Sequence, residues 1–264
     1  MMKNYNTIVV DIQAYVANIW LNRPDVQNAV NTEMLDELMH CFGAIEKLEN
    51  VRVIVLRGKG KSFSAGADLK RMLESGKLSF DDNLKDAKKW TECLSTIYHS
   101  KKPTIAVATG NVFGGGIGLL CASDIVISDS NAVFSFSEVK IGLAPSTILP
   151  FVLTRLNEHK AKILMFTGRK ITAKEALEFN LTDVVVEPEV IESTLESILS
   201  DIVKASPKGV EEIKYLINEF KKGYNHEQIS NITAKSIAKL KISEEALEGI
   251  SAFMEKRLPA WLKE

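Results

Sequence analysis

Two glycine-containing segments combine residue types that bind an anion or a developing negative charge. The first spans Phe63–Asp68 (FSAGAD), and the second spans Gly110–Gly118 (GNVFGGGIG). Each segment follows a β-rich run and precedes a helical pattern. Backbone N–H groups at the start of a helix lack an intrahelical partner, and glycine allows a ligand to approach them closely. The pattern therefore indicates an anion or oxyanion site made of backbone amides.

The known phosphate loops fit neither segment. A Walker loop whose last three residues are the GKS triplet that begins at Gly60 requires a glycine where Val55 stands. A dinucleotide fingerprint that starts at Gly114 requires a glycine where Leu119 stands. The sequence also contains no G-x-S-x-G nucleophile elbow. Nucleotide-phosphate binding by these loops and serine hydrolase chemistry are therefore not predicted.

A carboxylate follows the second segment in a mostly apolar stretch of the sequence. Glu138 lies in Phe136–Pro145 (FSEVKIGLAP), among mostly apolar residues. Burial away from water raises the pKa of a carboxyl group, which suits proton transfer near neutral pH. Taken as an isolated residue, Glu138 could equally be an exposed salt-bridge partner, so its type and position alone assign it no role.

The elements that must position these groups alternate between strands and helices, which predicts an α/β fold. Asn31 is a good helix N-cap, and Thr172 with Glu175 has the spacing of a capping box. The pattern predicts a hairpin of residues 7–10 and 16–22, helices from Asn31 to about residue 50 and at 84–98, strands at 52–56, 104–108, 124–128 and 132–136, and a helix that begins near Gly115.

The final third of the chain has helical periodicity almost throughout. Apolar residues recur every three to four positions in residues 195–203, 210–220, 229–240 and 244–256. We therefore predict an α/β core over residues 1–200 and a helical C-terminal region over residues 201–264.

Several separated motifs, in this order, resemble the crotonase superfamily, which includes the enoyl-CoA hydratases. They are the two glycine segments, Cys121–Asp124, Phe136–Pro145, and, toward the two ends, Leu21–Pro24, Asn28-Ala29, Thr167-Gly168, Ala173 with Ala176, and Phe253–Arg257. The resemblance covers nearly the whole chain. It implies the ClpP/crotonase-like fold of repeated β-β-α units, and C-terminal helices that assemble the chain into a trimer or a dimer of trimers.

The resemblance also implies a substrate and a division of roles. In this superfamily two backbone N–H groups bind the thioester carbonyl oxygen of an acyl-CoA, and the motifs assign them to Ala67 and Gly115. Glu138 matches a glutamate that handles the water and the proton. No metal or redox cofactor is implied, because coenzyme A is part of the substrate. The implied contacts to CoA or substrate are Val26, Ser64, Ala65, Asp68, Lys70, Gly118, Phe253 and Lys256.

One position departs from the pattern of many enoyl-CoA hydratases. Those enzymes carry a second glutamate two residues after the glycine triplet, where this chain has Gly118. The surrounding sequence is most similar to the methylglutaconyl-CoA hydratase branch. A glycine there predicts room for a branched or acidic acyl group. Three interpretations stay open: an enoyl-CoA hydratase, an enoyl-CoA double-bond isomerase, and a non-catalytic acyl-CoA or RNA-binding homologue.

Composition and charge narrow the partners. The 264 residues are 45% hydrophobic and carry 33 basic against 34 acidic residues, so no nucleic-acid partner is expected.

Cys41, Cys93 and Cys121 form no C-x-x-C pair, which indicates buried free thiols in a reducing compartment. Because the N-terminus lacks the apolar core of a signal peptide, we expect a cytoplasmic protein. The uncharged run Pro103–Ser123 contains five glycines, so it is expected to fold as strand, turn and helix rather than to span a membrane.

Overall fold

Nine strands, arranged in two sheets, lie within residues 4–262, the part of the chain that the computed structural model describes. They are β1 (Ile8–Gln13), β2 (Val16–Leu21), β3 (Val53–Gly58), β4 (Thr104–Ala108), β5 (Asn111–Phe113), β6 (Ile125–Asp129), β7 (Val133–Ser135), β8 (Ile171–Thr172) and β9 (Val184–Val186). Residues 1–3, at the start of the predicted core, and residues 263–264, at the end of the predicted C-terminal region, lie outside the described residues.

The main sheet has the strand order β1-β2-β3-β4-β6-β9. β1 and β2 form the predicted antiparallel hairpin, and the later neighbours all pair in parallel. A second sheet contains β5, β7 and β8, in which β5 is parallel and β8 antiparallel to β7. The sequence did not predict β5, because glycines surround this three-residue strand. The α/β class itself is confirmed.

The helices cover the sheets and form most of the last third of the chain. Asn31 caps α1 by accepting a hydrogen bond from the Met34 amide, and Thr172 and Glu175 form the predicted capping box of α7. The helices are α1 (Thr32–Ile45), α2 (Leu69–Ser75), α3 (Phe80–Tyr98), α4 (Gly115–Cys121), α5 (Leu149–Val152), α6 (Glu158–Thr167), α7 (Ala173–Glu178), α8 (Ile191–Lys204), α9 (Pro207–Phe220), α10 (His226–Lys241) and α11 (Glu244–Met254).

The main sheet is buried on both faces. On β3, Ile54 and Leu56 belong to the large core cluster, whereas Val53 and Val55 pack with Ile191 and other residues on the opposite face. Parallel sheets are usually covered on both sides in this way. Helix α8 supplies Ile191, so it belongs to the core, and the boundary predicted at residue 200 falls inside this continuous helix. The division of the chain into a core and a helical C-terminal region stays a prediction.

Helices α9 to α11 leave many large apolar side chains exposed, among them Phe220, Ile242 and Phe253. None of the helices within residues 4–262 is long and apolar enough to cross a membrane. The run from residue 103 to 123 instead contains β4, β5 and α4. The three cysteines are free and buried as predicted, and burial raises the pKa of each thiol to about 12.

Candidate active site

The two glycine segments lie side by side and pair through their backbones. The Phe113 amide donates to the Ser64 carbonyl oxygen at 3.0 Å, and Ser64 and Val112 form an isolated parallel bridge. Gly66 has φ +93°, and a Cβ atom at this position would lie 2.7 Å from the Phe113 carbonyl oxygen and 3.4 Å from the Gly115 nitrogen. A side chain at residue 66 would therefore push the segments apart.

A buried asparagine fixes the shape of the first segment. Asn28 is 0% exposed; its Nδ2 donates to the carbonyl oxygens of Lys59 (2.9 Å) and Ser62 (2.8 Å), and its Oδ1 accepts from the Arg23 amide (2.9 Å). Three hydrogen bonds from one buried side chain hold the entry to the segment in one conformation. Asn28 was part of the sequence motif, but no local signal indicated this role.

Ser64 also supports the segment from inside. Its hydroxyl donates to the Asn28 carbonyl oxygen at 2.8 Å and accepts from the Gly66 amide at 3.2 Å. The residue is 0% exposed in the single chain, and the contact between Ser64 and CoA stays a prediction. Ala65, which is half-buried, donates its amide to the Gln27 carbonyl oxygen.

The second segment is shaped by close packing around its glycines. A Cβ atom on Gly115 would lie 2.8 Å from Cζ3 of Trp90, and one on Gly116 would lie 2.7 Å from the Ser64 carbonyl oxygen. Trp90 thus covers the start of α4. These distances explain why two successive positions require glycine.

Ala67, Gly115 and Glu138 line one cavity of about 330 Å³, called here the site cavity. Within the described residues, the N–H groups of Ala67 and Gly115 donate to no protein acceptor. The structure thus brings together the three residues predicted to be catalytic. Two backbone donors face a space that a carboxyl group also borders, which is the arrangement that can stabilise an oxyanion and move a proton.

Glu138 lies in a 3-10 helix, Ser137–Ile141, that ends at Gly142 with φ +78°. A Cβ atom on Gly114 would lie 3.0 Å from its Oε1, so glycine makes room for the carboxyl group. Its Oε2 is buried and has no hydrogen-bond partner in the part of the chain that the structure describes. Burial raises the pKa of Glu138, against an opposing hydrogen bond from its own backbone amide. Such a carboxyl group can exchange a proton with a bound ligand.

The space predicted beside Gly118 is filled by hydrocarbon. A Cβ atom on Gly118 would overlap Cγ2 of Ile148 and lie 3.4 Å from Cδ1 of Leu94. Ile148 borders the site cavity and covers Gly118, which is buried in α4. Gly118 itself does not border the site cavity in the single chain, and its contact with a substrate stays a prediction.

Asp68 borders the site cavity and anchors α2. Its carboxylate caps the helix through the Lys70 and Arg71 amides and pairs with Arg23 at 2.9 Å. Burial alone would raise the pKa of Asp68, but the hydrogen bonds from Arg23 and the two amides outweigh it and lower the pKa. Asp68 is therefore an ionised structural anchor at neutral pH.

The other predicted CoA contacts lie away from the site cavity in a single chain. Val26 is exposed in the 3-10 helix Pro24–Val26, and Lys70 is exposed on α2. Phe253, which is 87% exposed, lies near the end of α11, and Lys256 follows that helix with φ +54°. These positions leave their side chains open to solvent or to another molecule.

Two features of the structure, one at the site cavity and one away from it, were not anticipated from the sequence. Arg71 on α2 and Asp86 on α3 form an ion pair at 2.6 Å, and both residues border the site cavity. A larger cavity of about 1060 Å³ lies elsewhere, between α9, α10 and the end of α3. Within residues 4–262, no three His, Cys, Asp or Glu side chains meet in a way that could hold a metal ion.

The sequence model of the family described as enoyl-CoA hydratase/isomerase matches residues 11–264. A short-chain-enoyl-CoA hydratase of Clostridium acetobutylicum is 32% identical over 260 residues, which cover 96% of each protein. An enoyl-CoA hydratase from Shewanella pealeana has a similar crystal structure, with a TM-score of 0.93, 32% identity, and coverage of 97% of this chain and 96% of that one. An enoyl-CoA hydratase/isomerase from Marinobacter aquaeolei has a TM-score of 0.93, 32% identity, and coverage of 97% and 99%.

The fold and the site cavity therefore define a protein of the crotonase superfamily. Because the family model covers nearly the whole chain, this protein belongs to the enoyl-CoA hydratase/isomerase family.

Proposed function

We propose that this protein is an enoyl-CoA hydratase that adds water syn across the α,β double bond of an acyl-CoA thioester. The observation that carries the proposal is the position of Glu138, which borders the same cavity as the unpartnered amides of Ala67 and Gly115. Burial raises the pKa of the Glu138 carboxyl group toward neutral pH, which suits proton transfer.

In the proposed reaction, the thioester carbonyl oxygen accepts hydrogen bonds from the Ala67 and Gly115 N–H groups. Glu138 removes a proton from a bound water as the water oxygen bonds to Cβ, and the electron pair of the double bond moves to form an enolate. The two amides stabilise the enolate oxygen. Glu138 then returns its proton to Cα, which completes the 3-hydroxyacyl product and restores the carboxylate. The same steps run backward as dehydration.

A double-bond isomerase is the second candidate, and the environment of Gly118 supports it. Ile148 and Leu94 fill the space around this glycine, so Glu138 is the one carboxyl group proposed to transfer protons at the double bond. A single carboxyl group can remove a proton from one carbon of an enoyl-CoA and return it to another without water. An acyl-CoA-binding homologue without turnover is the third candidate.

The acyl group and the assembly belong to the same proposal. The site cavity of about 330 Å³ suits a short acyl group, and a branched or acidic one such as 3-methylglutaconyl stays within the proposal. The exposed apolar side chains of α9 to α11 support a trimer or a dimer of trimers. Such an assembly would allow Phe253 and Lys256 to contact CoA bound to a neighbouring subunit.

The test is incubation of the protein with 2-enoyl- and 3-enoyl-CoA thioesters in ¹⁸O-labelled water, read by mass spectrometry. Hydration places ¹⁸O in a 3-hydroxyacyl product. Glu138→Gln is expected to lower kcat/KM by about 10²- to 10⁴-fold, whereas Glu158→Gln, on the exposed part of α6, serves as a matched control. Unlabelled double-bond migration would instead identify the isomerase. Binding of the thioesters with no conversion would support the third candidate.

A further inference from the structure

One face of α2 and one face of α3 border the site cavity. The bordering positions are Asp68, Arg71, Met72 and Ser75 around α2, and Asn83, Asp86, Ala87 and Trp90 on α3. In both sets the spacing of three to four residues corresponds to a single helix face. The two faces carry an apolar part, with Met72, Ala87 and Trp90, and a polar part that contains the Arg71–Asp86 ion pair.

The guanidinium of Arg71 has donors that the protein does not use. Its Nη2 donates to Asp86 at 2.6 Å, and Nη1 lies 3.9 Å from Glu74, which is beyond hydrogen-bond distance. Its Nε is buried without an acceptor among residues 4–262. A buried donor without an acceptor destabilises a protein unless a ligand supplies one. Arg71 Nε is such a donor, and Glu138 Oε2 is a buried acceptor without a partner in the same part of the chain; both atoms belong to residues that line the site cavity.

The ion pair lies within reach of a short acyl chain. Trp90 packs against Gly115, one of the two proposed oxyanion donors, and Asp86 precedes Trp90 by four residues on α3. Four residues of helix rise about 6 Å, which is about the length of a four- to five-carbon chain. Because Arg71 and Gly115 border the same cavity, an acyl group whose thioester is bound at Gly115 would extend into a space that Arg71 also lines.

On the basis of the proposed function, we propose that Arg71 selects acyl groups that carry a hydrogen-bond-accepting oxygen four to five carbons from the thioester. Asp86 orients the guanidinium and offsets its charge, so the oxygen can belong to a carboxylate or to a neutral carbonyl group. Met72, Ala87 and Trp90 contact the hydrocarbon between the two ends. Arg71 is thus assigned as a specificity-determining residue, and the double-bond chemistry is left to Glu138.

The test compares three thioesters of nearly equal size. They are glutaconyl-CoA, its terminal amide, and 5-methylhex-2-enoyl-CoA, in which an isopropyl group replaces the carboxylate. The native protein is expected to show a kcat/KM about 10- to 100-fold higher for an oxygen-bearing thioester than for the isopropyl analogue. A higher kcat/KM for glutaconyl-CoA alone would show that Arg71 requires a negatively charged group. Equally high values for glutaconyl-CoA and its amide would show that a neutral oxygen acceptor is sufficient for recognition. No preference for either overturns the inference.

Variants then locate the preference. Arg71→Met is expected to remove it, with a smaller fall in kcat/KM for crotonyl-CoA than for glutaconyl-CoA, and Arg71→Lys to keep part of it. Asp86→Asn breaks the ion pair but retains the guanidinium, so the preference should persist. Lys85→Met is the matched control, because Lys85 is exposed on the same helix and lies away from the site cavity. Equal losses for all thioesters in Arg71→Met would show a structural role and refute the inference.

A binding measurement separates this inference from the proposed reaction. Calorimetry on Glu138→Gln with the saturated thioesters glutaryl-CoA and 5-methylhexanoyl-CoA requires no turnover. Tighter binding of glutaryl-CoA, lost on addition of Arg71→Met, supports the role of Arg71 even if the native protein hydrates no thioester. Equal affinities would contradict that role even if hydration is observed.

Discussion

The two glycine segments each supply one proposed oxyanion donor, but different interactions hold them in place. The first, which ends at Asp68, is held by hydrogen bonds from the buried Asn28 and Ser64 side chains. The second is held by contact, because its glycines face the Glu138 carboxyl group, the Trp90 ring and the Ser64 backbone in turn. Both segments need a glycine where their backbones approach each other, but the first proposed oxyanion donor also depends on hydrogen bonds from Asn28 and Ser64, whereas the second depends mainly on the absence of side chains.

The largest expected effect tests the dependence on contact. Gly116→Ala would place a Cβ atom 2.7 Å from the Ser64 carbonyl oxygen, a backbone atom that cannot rotate away. We expect a loss of stability of about 1–3 kcal/mol and, because the two segments must separate, a fall in kcat/KM of at least about 100-fold. Urea unfolding and steady-state kinetics measure the two effects.

Gly43→Ala is the control for this substitution. Gly43 lies inside α1, and a Cβ atom there meets nothing within 4 Å, so alanine should stabilise the helix by about 0.5–1 kcal/mol. Wild-type kinetics in Gly116→Ala would show that the second segment does not depend on this contact.

The second prediction tests the dependence on hydrogen bonds. Asn28→Ala removes three hydrogen bonds and leaves the Lys59 and Ser62 carbonyl oxygens without this partner. We expect the free energy of unfolding to fall by about 2–3 kcal/mol, with a fall in kcat/KM of about tenfold. Asn28 also has φ +54°, which alanine tolerates less well.

Asn180→Ala separates the backbone cost from the hydrogen-bond cost. Asn180 has φ +62° but is exposed, and its side chain makes no hydrogen bond within the described residues. It should therefore report the backbone cost alone. Equal destabilisation by the two substitutions would show that the hydrogen bonds of Asn28 do not hold the first segment.

The comparison also explains which parts of the protein could be predicted from the sequence. The hairpin, the Asn31 cap, β4 and the Thr172–Glu175 capping box are encoded by residues close together in the chain, and all are confirmed. Glycine spacing likewise marked the second segment. The glycines of that segment lie against the Glu138 carboxyl group, the Trp90 ring and the Ser64 backbone, and glycine is the residue type that indicates such a close approach.

Long-range contacts could not be predicted in the same way. Ile148 fills the space at Gly118 from 30 positions away, and Asn28 holds carbonyl oxygens more than 30 positions away. β5 has three residues and pairs with β7, so its pattern is too short to indicate a strand. The family motifs located Glu138, Ala67 and Gly115, but the Arg71–Asp86 pair depends on how α2 and α3 pack.

The smallest expected effect concerns Glu138, whose carboxyl group packs against Gly114 of the second segment. Because burial raises its pKa, the folded protein holds this proton to a higher pH than the unfolded chain. At low pH both states are protonated, and the group costs nothing. As the pH rises through the raised pKa, ionisation of a buried group destabilises the fold. The Tm of Glu138→Gln minus that of the native protein should therefore be near zero at pH 4 and positive at pH 8.

Glu158→Gln should change in the opposite direction, because hydrogen bonding to Lys162 lowers the pKa of Glu158. A Tm difference for Glu138→Gln that falls with pH would mean that the second segment stabilises the carboxylate, and contact alone would then no longer describe how the segment is held.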